Sequence, residues 1–401
     1  MKKGWLTKTL AEVCCIKPPK SEARDKVSAS SHVSFLPMED MGIDVKFVQA
    51  TQTKPLSAVF GSYTYFADGD VLLAKITPCF ENGKLGIADG LKNGIGFGSS
   101  EYLVFRPDPS VSKEWLYYFL SRETFRAEGA ARMSGAVGHK RVSKEFIEDY
   151  PIPFPTLDEQ KRIVAKLDQA FAGLAKAKEN AEKNLQNARA LFESHLESVY
   201  TQRGKGWVEK KLDDVCGFQN GFAFKSNTFK ATGAPVIRIS NIQDGRIDTE
   251  NRLVFVNPKD YREDLERYRI VKNDLLIAMS GATTGKLGFN TENTVFYLNQ
   301  RVGKFEPGAK LDKQFLYYFL STRVEENLRI SAGAAQPNLS TEQIKGFVIP
   351  LPPVEEQTRI VLKLDSLSEQ TQRIASIYEQ KLEALESLKK SILHEAFSGN
   401  L

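Results

Sequence analysis

The sequence predicts an α+β protein with two similar domains, separated by two long helices that pack as an antiparallel coiled coil with pseudo-two-fold symmetry. Three observations support this class. The two halves of the 401-residue chain repeat each other. Each half begins with short β-type runs punctuated by glycine, and each half ends with a long helical pattern that follows prolines. Each half is therefore expected to contribute one domain and one helix.

The repeat consists of matched segments that keep their order along the chain. LYYFLS occurs at Leu116–Ser121 and at Leu316–Ser321, 200 positions apart, and GWLTKTLAEVC near the N-terminus matches GWVEKKLDDVC 202 positions later. PIPFPTLDEQKRIVAKLD, ending at Asp168, matches VIPLPPVEEQTRIVLKLD, ending at Asp365, with an offset of 197. A period near 200 residues is too long for a solenoid, so each copy is expected to fold as its own module.

The first part of each copy is rich in glycine and aromatic residues. Runs such as SAVFGSYTYF and TVFYLNQRVGKF alternate with Gly, Asn and Asp clusters, which is typical of short strands joined by turns. LYYFLS lies in a helical stretch, and its apolar side chains favour packing in the domain core. Stacking of Tyr117 or Tyr317 on DNA bases is the alternative. The mixture predicts α+β domains at 1–155 and 204–353.

The second part of each copy predicts a long helical region, at 156–203 and at 354–401. Each follows a proline-rich hinge, because proline cannot continue a helix. Apolar residues then recur at spacings of three and four, as in a coiled coil, over about 60 Å of helix. We expect His195 to be packed on this seam, and the less regular second stripe also includes Ile374 and Leu388. The main seam residues are Leu167, Phe171, Leu174, Leu185, Phe192, Leu364, Leu367, Leu382 and Leu385.

The composition excludes several classes of function. The net charge of +5 is compatible with nucleic acid but does not establish it. Four cysteines and four histidines, with no CxxC pair, argue against a metal site. No stretch is apolar enough for a signal peptide or a membrane span, so we expect a cytoplasmic protein with reduced thiols. SGATTGKL has the wrong spacing for a phosphate loop, and GxSxG and HExxH motifs are absent. The sequence therefore indicates a binding protein without a cofactor.

Candidate DNA contacts lie on loops at matched points of the two copies. The side chains of Arg, Lys, Asn, Gln, Ser and Thr match the hydrogen-bond donors and acceptors of base edges. For any one candidate residue, the alternative is that it lies in a solvated polar loop without a DNA contact. The scaffold segments around the loops repeat while the loops differ, as expected for one fold that reads two sequences. The candidates are Thr77, Asn82, Lys84, His139, Lys140, Arg141, Arg238, Asn241, Ser280, Thr283, Thr284, Lys286, Gln300, Arg301, Gln336 and Asn338.

Taken together, the chain resembles the specificity subunits of type I restriction–modification systems. The resemblance covers essentially the whole chain and rests on the two blocks PIPFPTLDEQKRIVAKLD and VIPLPPVEEQTRIVLKLD, the two domain openings, and GAAQPNLS before the second hinge. In place of GAAQPNLS the first copy has SGAVGHKRVS. The resemblance implies target-recognition domains at 1–155 and 204–353 and conserved helical regions at 156–203 and 354–401.

The resemblance also implies a function. The chain would be a non-catalytic subunit that binds an asymmetric bipartite site in double-stranded DNA, one half for each recognition domain. Its helices would recruit two methyltransferase subunits and, through them, the motor–nuclease restriction subunit. Two other hypotheses stay open: a self-sufficient DNA enzyme, and a duplicated protein-interaction scaffold without a DNA role.

Overall fold

The computed structural model describes residues 4–136, 138–250, 253–323 and 338–401. They form two compact units: unit 1 comprises Met1–Glu182 and Glu379–Leu401, and unit 2 comprises Lys183–Tyr378. Each unit contains one α+β domain and a segment of each of two long helices. No helix in the described ranges combines the length and apolar character needed to cross a membrane.

The domain of unit 1 is built on two sheets and a two-stranded ribbon. Its helices are α1 (Leu10–Val13), α2 (Ser21–Lys26), α3 (Leu56–Val59), α4 (Lys113–Leu120), α5 (Glu123–Ala131) and α6 (Lys144–Glu148). Its strands are β1 (Leu6–Thr9), β2 (Cys14–Ile16), β3 (His32–Leu36), β4 (Phe47–Val48), β5 (Gln52–Pro55), β6 (Thr64–Ala67), β7 (Val71–Ala74), β8 (Leu85–Ala88), β9 (Ile95–Gly98), β10 (Tyr102–Pro107) and β11 (Pro151–Phe154). The sheet orders are β2-β10-β7-β8-β4 and β5-β3-β9-β6, and β1 pairs with β11.

The domain of unit 2 repeats this plan. In the parts of this domain that the structure describes, the α-helices are α8 (Lys313–Ser321) and α9 (Thr341–Lys345). Its strands are β12 (Val208–Lys211), β13 (Cys216–Asn220), β14 (Ala234–Ile237), β15 (Ile242–Gln243), β16 (Gly245–Ile247), β17 (Val254–Val256), β18 (Arg269–Ile270), β19 (Leu275–Ala278), β20 (Leu287–Phe289), β21 (Phe296–Leu298), β22 (Val302–Pro307) and β23 (Val348–Leu351).

The strand order shows that the sequence repeat is a structural repeat. The order β13-β22-β19-β20 corresponds to β2-β10-β7-β8, and β17-β14-β21-β18 corresponds to β5-β3-β9-β6. In the second pair of sheets, one parallel pairing recurs, β3 with β9 and β14 with β21. The ribbon β12-β23 likewise corresponds to β1-β11. The predicted α+β class with two similar domains is confirmed.

The LYYFLS segments form most of α4 and α8. Tyr117 and Tyr118 are each only 5% exposed, and Leu116 and Phe119 are fully buried in the core of unit 1. In α8, Leu316 and Phe319 are equally buried, while Tyr317 is half-buried. Core packing, not base stacking, is therefore the role of Tyr117.

The two long helices are α7 (Leu157–Thr201) and α10 (Val354–Ser398). Within unit 1 they run antiparallel, because Arg162 near the start of α7 donates to the carbonyl oxygen of Leu401 at 2.6 Å, while Lys178, further along, lies 2.9 Å from Glu386. Within unit 2, Leu196 and Leu364 share one apolar core. The prediction of two long helices that pack antiparallel is confirmed within the units.

The seam departs from a regular heptad pattern. Leu167 and Leu364 are fully buried, and the remaining main seam residues are half-buried: Phe171, Leu174, Leu185, Phe192, Leu367, Leu382 and Leu385. His195 is exposed, so its predicted packing is wrong. Its neighbour Leu196 is buried instead, because this end of α7 turns its apolar face to the core of its domain. Ile374 and Leu388 are also exposed, by 41% and 47%.

Candidate nucleic-acid interface

Three loops meet in the first domain and are tied together through their backbones. They are the loop after β7 (75–84), the loop between β9 and β10 (99–101), and the described part of the segment between α5 and α6. The amide of Lys75 donates to the carbonyl oxygen of Glu101 at 2.9 Å, and the amide of Val142 donates to the carbonyl oxygen of Lys75 at 3.0 Å. We call these loops the first three-loop cluster.

The second domain contains the equivalent arrangement, the second three-loop cluster. It joins the loop after β19 (279–286), the loop between β21 and β22 (299–301), and residues 338–340 before α9. The amide of Met279 donates to Arg301 at 2.9 Å, and the amide of Leu339 donates to Met279 at 2.8 Å. The backbone bonds thus recur, and they make Glu101 equivalent to Arg301.

In the first cluster, all three nitrogens of the Arg141 guanidinium group donate hydrogen bonds. Arg141 Nε and Nη2 donate to Glu101 Oε2 and Oε1 at 2.9 and 2.7 Å, and its Nη1 donates to the carbonyl oxygen of His139 at 3.1 Å. These bonds hold the pKa of the Glu101 carboxyl below its usual value. The side chains of His139 and Lys140 are exposed. Arg141 therefore stiffens the cluster, and its two neighbours face solvent.

In the second cluster the corresponding side-chain contact also involves an arginine, but this arginine lies on the loop between β21 and β22. Arg301 Nη1 donates to Asn338 Oδ1 at 3.2 Å, and Asn338 also forms a β-bridge with Ser280. Arg301, Asn338 and the neighbouring Gln300 are exposed. Because Asn338 is a neutral amide, it does not neutralise the charge of Arg301. Among the described residues the Arg301 side chain makes this one hydrogen bond, which uses one of the five N–H donors of the guanidinium group.

Two of the polar residues at predicted positions in the first domain, Thr77 and Lys84, bond to other groups of the protein. Lys84 is half-buried, and its Nζ donates to the carbonyl oxygen of Met38 at 2.6 Å. Thr77 donates to Glu81 at 2.8 Å. The side chain of Asn82 is exposed, and its backbone amide donates to the carbonyl oxygen of Pro78 at 2.9 Å. Of these three residues, Asn82 alone presents an exposed side chain.

The second domain shows the same division of roles. Asn241 is fully buried, accepts from the Arg238 amide at 3.0 Å and donates to the Asp248 carbonyl at 3.1 Å. Thr284 is 2% exposed and donates to Gly281 at 2.7 Å. These two predicted contacts are structural, because burial removes them from any base edge. Four further candidates are half-buried: Arg238, Ser280, Thr283 and Lys286. Thr283 donates to Ile239 at 3.0 Å, and Lys286 lies 3.4 Å from Asp244. Gln336 lies outside the described residues.

A basic and aromatic cleft of about 770 Å³ adjoins the first cluster. Its cationic side chains suit a phosphate backbone; of its three tyrosines, Tyr65 and Tyr102 are only 2% and 3% exposed and belong to the domain core. Sequence reasoning missed most of it, since the contributing segments are far apart in the chain. The charged and aromatic lining residues are Lys17, Lys20, Tyr63, Tyr65, Lys75, Tyr102, Arg141, Lys144 and Glu148.

Metal and thiol chemistry gain no support from the geometry. Among the described residues, no three His, Cys, Asp or Glu side chains are grouped as metal ligands. The four cysteines are free. Cys14 and Cys216 are buried, and burial raises the pKa of each thiol to about 12, so these two thiols are weak nucleophiles.

The two domains share one fold and equivalent loop clusters, and each is followed by a long helix, so the chain is a tandem repeat of one domain-and-helix unit. Comparison with known proteins identifies the family. The chain matches the family described as Type I restriction modification DNA specificity domain over residues 2–184 and 204–386. It therefore belongs to the type I restriction–modification specificity subunits, as its sequence predicted.

Similar proteins agree with this assignment. The type I restriction enzyme EcoAI specificity subunit of Escherichia coli is 27% identical, with 98% of this chain and 81% of that protein covered. A chain from a study of complex assembly and conformational transition of the type I R-M system has a TM-score of 0.83 at 20% identity, covering 100% of this chain and 99% of that one. The HsdS subunit of Thermoanaerobacter tengcongensis has a TM-score of 0.66 at 20% identity and covers 100% and 98%. The two structures establish the shared fold.

Proposed function

We propose that this specificity subunit is non-catalytic and reads an asymmetric bipartite site in double-stranded DNA, with one three-loop cluster on each half. The observation that supports this most is the contrast between the clusters. Their backbone hydrogen bonds are the same, while their exposed side chains differ. One scaffold would thus present two different sets of donors and acceptors to two different sequences.

Base recognition in the second half-site would rest on Arg301, Asn338 and Gln300. An arginine fork fits the O6 and N7 atoms of guanine, and an asparagine or glutamine amide fits adenine. In the first half-site, the exposed His139 and Lys140 take this place, because Arg141 is held by Glu101. We leave Lys84, Asn241 and Thr284 out of the base-reading set.

Phosphate contacts would supply much of the affinity and would carry no sequence information. The cleft with Lys17, Lys75 and Lys144 is the proposed contact surface in the first domain. Lys286, which is partly exposed beside Asp244, is the candidate in the second domain. Binding should therefore weaken as the salt concentration rises.

The remaining activities would lie in other subunits. Outward faces of α7 and α10 would recruit two methyltransferase subunits, and these would bring the motor–nuclease subunit. Methylation, ATP hydrolysis and cleavage would occur there, and the chain itself would need no cofactor. The complex would act in the cytoplasm, where its DNA target is.

The test is the set of methylated sites in cells that express the chain with its partner subunits. Wild type should give one bipartite motif. Arg301→Ala or Asn338→Ala should relax one position in one half-site, at a cost of about 1–3 kcal/mol, and leave the other half unchanged. Lys140→Ala is the matched variant in the first domain and should affect only the other half-site. An unaltered motif after Arg301→Ala and Asn338→Ala would remove both residues from the proposed surface.

A further inference from the structure

Near its start, each long helix bonds to a domain at two polar points that are eight residues apart and that recur in both units. In unit 1 these points are Gln160 and Asp168 of α7, and in unit 2 they are Gln357 and Asp365 of α10. We call each pair, with the groups that it binds, a helix clamp. The two clamps occupy matched positions of the repeat, so the same attachment is built twice.

The glutamine of the first clamp has its amide fully used by backbone groups. Gln160 is completely buried. Its Oε1 accepts from the amide of Ser112 at 2.8 Å, and its Nε2 donates to the carbonyl oxygens of Ser110 at 3.2 Å and Pro155 at 3.0 Å. Because Ser112 is the N-cap of α4, the bond fixes the start of α4 against α7.

The second clamp repeats these bonds in unit 2. Gln357 is also completely buried. Its Oε1 accepts from the amide of Asp312, the N-cap of α8, at 2.8 Å, and its Nε2 donates to Lys310 at 2.9 Å and Pro352 at 2.8 Å. The donor and acceptor pattern is identical although the partner side chains differ.

The aspartate of each clamp binds the second tyrosine of LYYFLS. The hydroxyl of Tyr118 donates to Asp168, which also pairs with Lys46 at 2.5 Å. The hydroxyl of Tyr318 donates to Asp365 at 2.6 Å. In each clamp the glutamine thus binds the start of α4 or α8, and the aspartate binds a tyrosine near the end of the same helix.

Apolar contact lies between the two points. In unit 1, Ile163, Val164 and Leu167 are buried in the same core as Trp115 and Phe119 of α4. Apolar burial is not directional, so by itself it would tolerate rotation or sliding of the helix on the domain. Two hydrogen-bonded points along the contact remove both freedoms.

We infer that the clamps are positioning elements: by fixing each domain on its helix they restrict the protein to one spacing between the two DNA half-sites, while the loop clusters set the sequences of those half-sites. This inference rests on the proposed function of reading a bipartite site. B-DNA makes one turn in 10–10.5 base pairs over 34–36 Å, so one base pair moves a half-site by about 3.4 Å and about 35°. A domain that turns on its helix by this amount would accept a spacer of the wrong length.

The experiment compares Tyr118→Phe with Tyr117→Phe in the assembled methyltransferase complex. Both changes remove one hydroxyl from a buried tyrosine of α4, but among the described contacts only Tyr118 has a hydroxyl bound to α7. Binding is measured on DNAs whose spacers are one base pair shorter, equal or one longer than that of the wild-type motif, together with the methylated sites in cells.

We expect Tyr118→Phe to keep both half-sites and to lower discrimination against the two wrong spacers by up to about ten-fold. This limit is the factor for loss of one hydrogen bond to a charged group, and the Asp168 side chain is 45% exposed. Tyr117→Phe should keep wild-type discrimination. Asp168→Asn retains an oxygen acceptor for Tyr118 and should preserve more discrimination than Asp168→Leu does. A general loss of stability would weaken binding to DNAs of all three spacer lengths equally, so it would leave the discrimination between them unchanged.

The outcomes separate the two ideas. If wild type yields no bipartite motif, the proposed function fails. If wild type yields one and Tyr118→Phe, Tyr318→Phe and Asp168→Leu all keep its spacer discrimination, the clamps do not restrict the spacing. If Asp168→Leu fails to assemble, the two Tyr→Phe variants decide, since each keeps its ring in the core.

Discussion

Replacing Gln160 by leucine is expected to lower the free energy of unfolding of unit 1 by about 2–4 kcal/mol. The change removes three hydrogen bonds of 2.8, 3.2 and 3.0 Å to backbone groups. A net hydrogen bond contributes about 0.5–1.5 kcal/mol, and an unpaired buried amide costs more. For a unit of about 200 residues, each kcal/mol shifts the midpoint by about 2–4 °C, so the thermal midpoint should fall by about 5–15 °C.

Two measurements test this value. Thermal unfolding followed by circular dichroism gives the midpoint, and hydrogen exchange reports the amide of Ser112, which should exchange about 30-fold faster or more once its acceptor is lost. Gln169→Leu is the matched control: it makes the same substitution on the same helix at an exposed position, where the expected change is within about 0.5 kcal/mol. A Gln160→Leu midpoint within about 1 °C of wild type, with unchanged exchange at Ser112, would refute the reasoning.

Three further outcomes are expected. Leu167→Asp combined with Leu364→Asp places a charge at two fully buried helix positions and should abolish co-purification with the methyltransferase subunit; normal recovery of the complex would contradict the assigned packing. Four residues inserted near Lys178 add about 6 Å of helix and should lengthen the unread spacer by one or two base pairs, which methylome sequencing would show; an active mutant with the old spacer would mean that the distance is set elsewhere. Iodoacetamide at pH 8 should label exposed Cys15 well before Cys14 and Cys216, whose thiol pKa values are about 12; mass spectrometry that found equal rates would argue against their burial.

The fold was readable from the sequence because its signals are local or repeated. Proline hinges, apolar residues at spacings of three and four, and matched segments predict two helices and two similar domains without knowledge of tertiary contacts. The buried positions Leu167 and Leu364 follow from the same periodicity. Near the end of α7 the spacing of three and four predicts the wrong buried residue. Leu196 packs in the core of unit 2, and His195 is therefore exposed.

The two three-loop clusters were only partly predictable. A polar residue in a loop can face solvent or satisfy a backbone group, and the choice depends on segments far away in the chain. Asn241 is buried between the backbones of Arg238 and Asp248, and Lys84 bonds to the carbonyl of Met38. By contrast, Arg301 and Asn338 remain exposed on adjoining loops, a pairing that their separation in sequence does not reveal.

The ribbons that close each domain bear on how this protein changes over evolutionary time. β1 pairs with β11, and β12 pairs with β23, so the chain enters and leaves each domain on neighbouring strands, about 5 Å apart. A foreign domain with the same pair of end strands would keep this ribbon, and it would also have to match the clamp and the apolar core that join the domain to the long helices. Gene segments exchanged at these borders would therefore carry one complete domain and leave the other domain as it was.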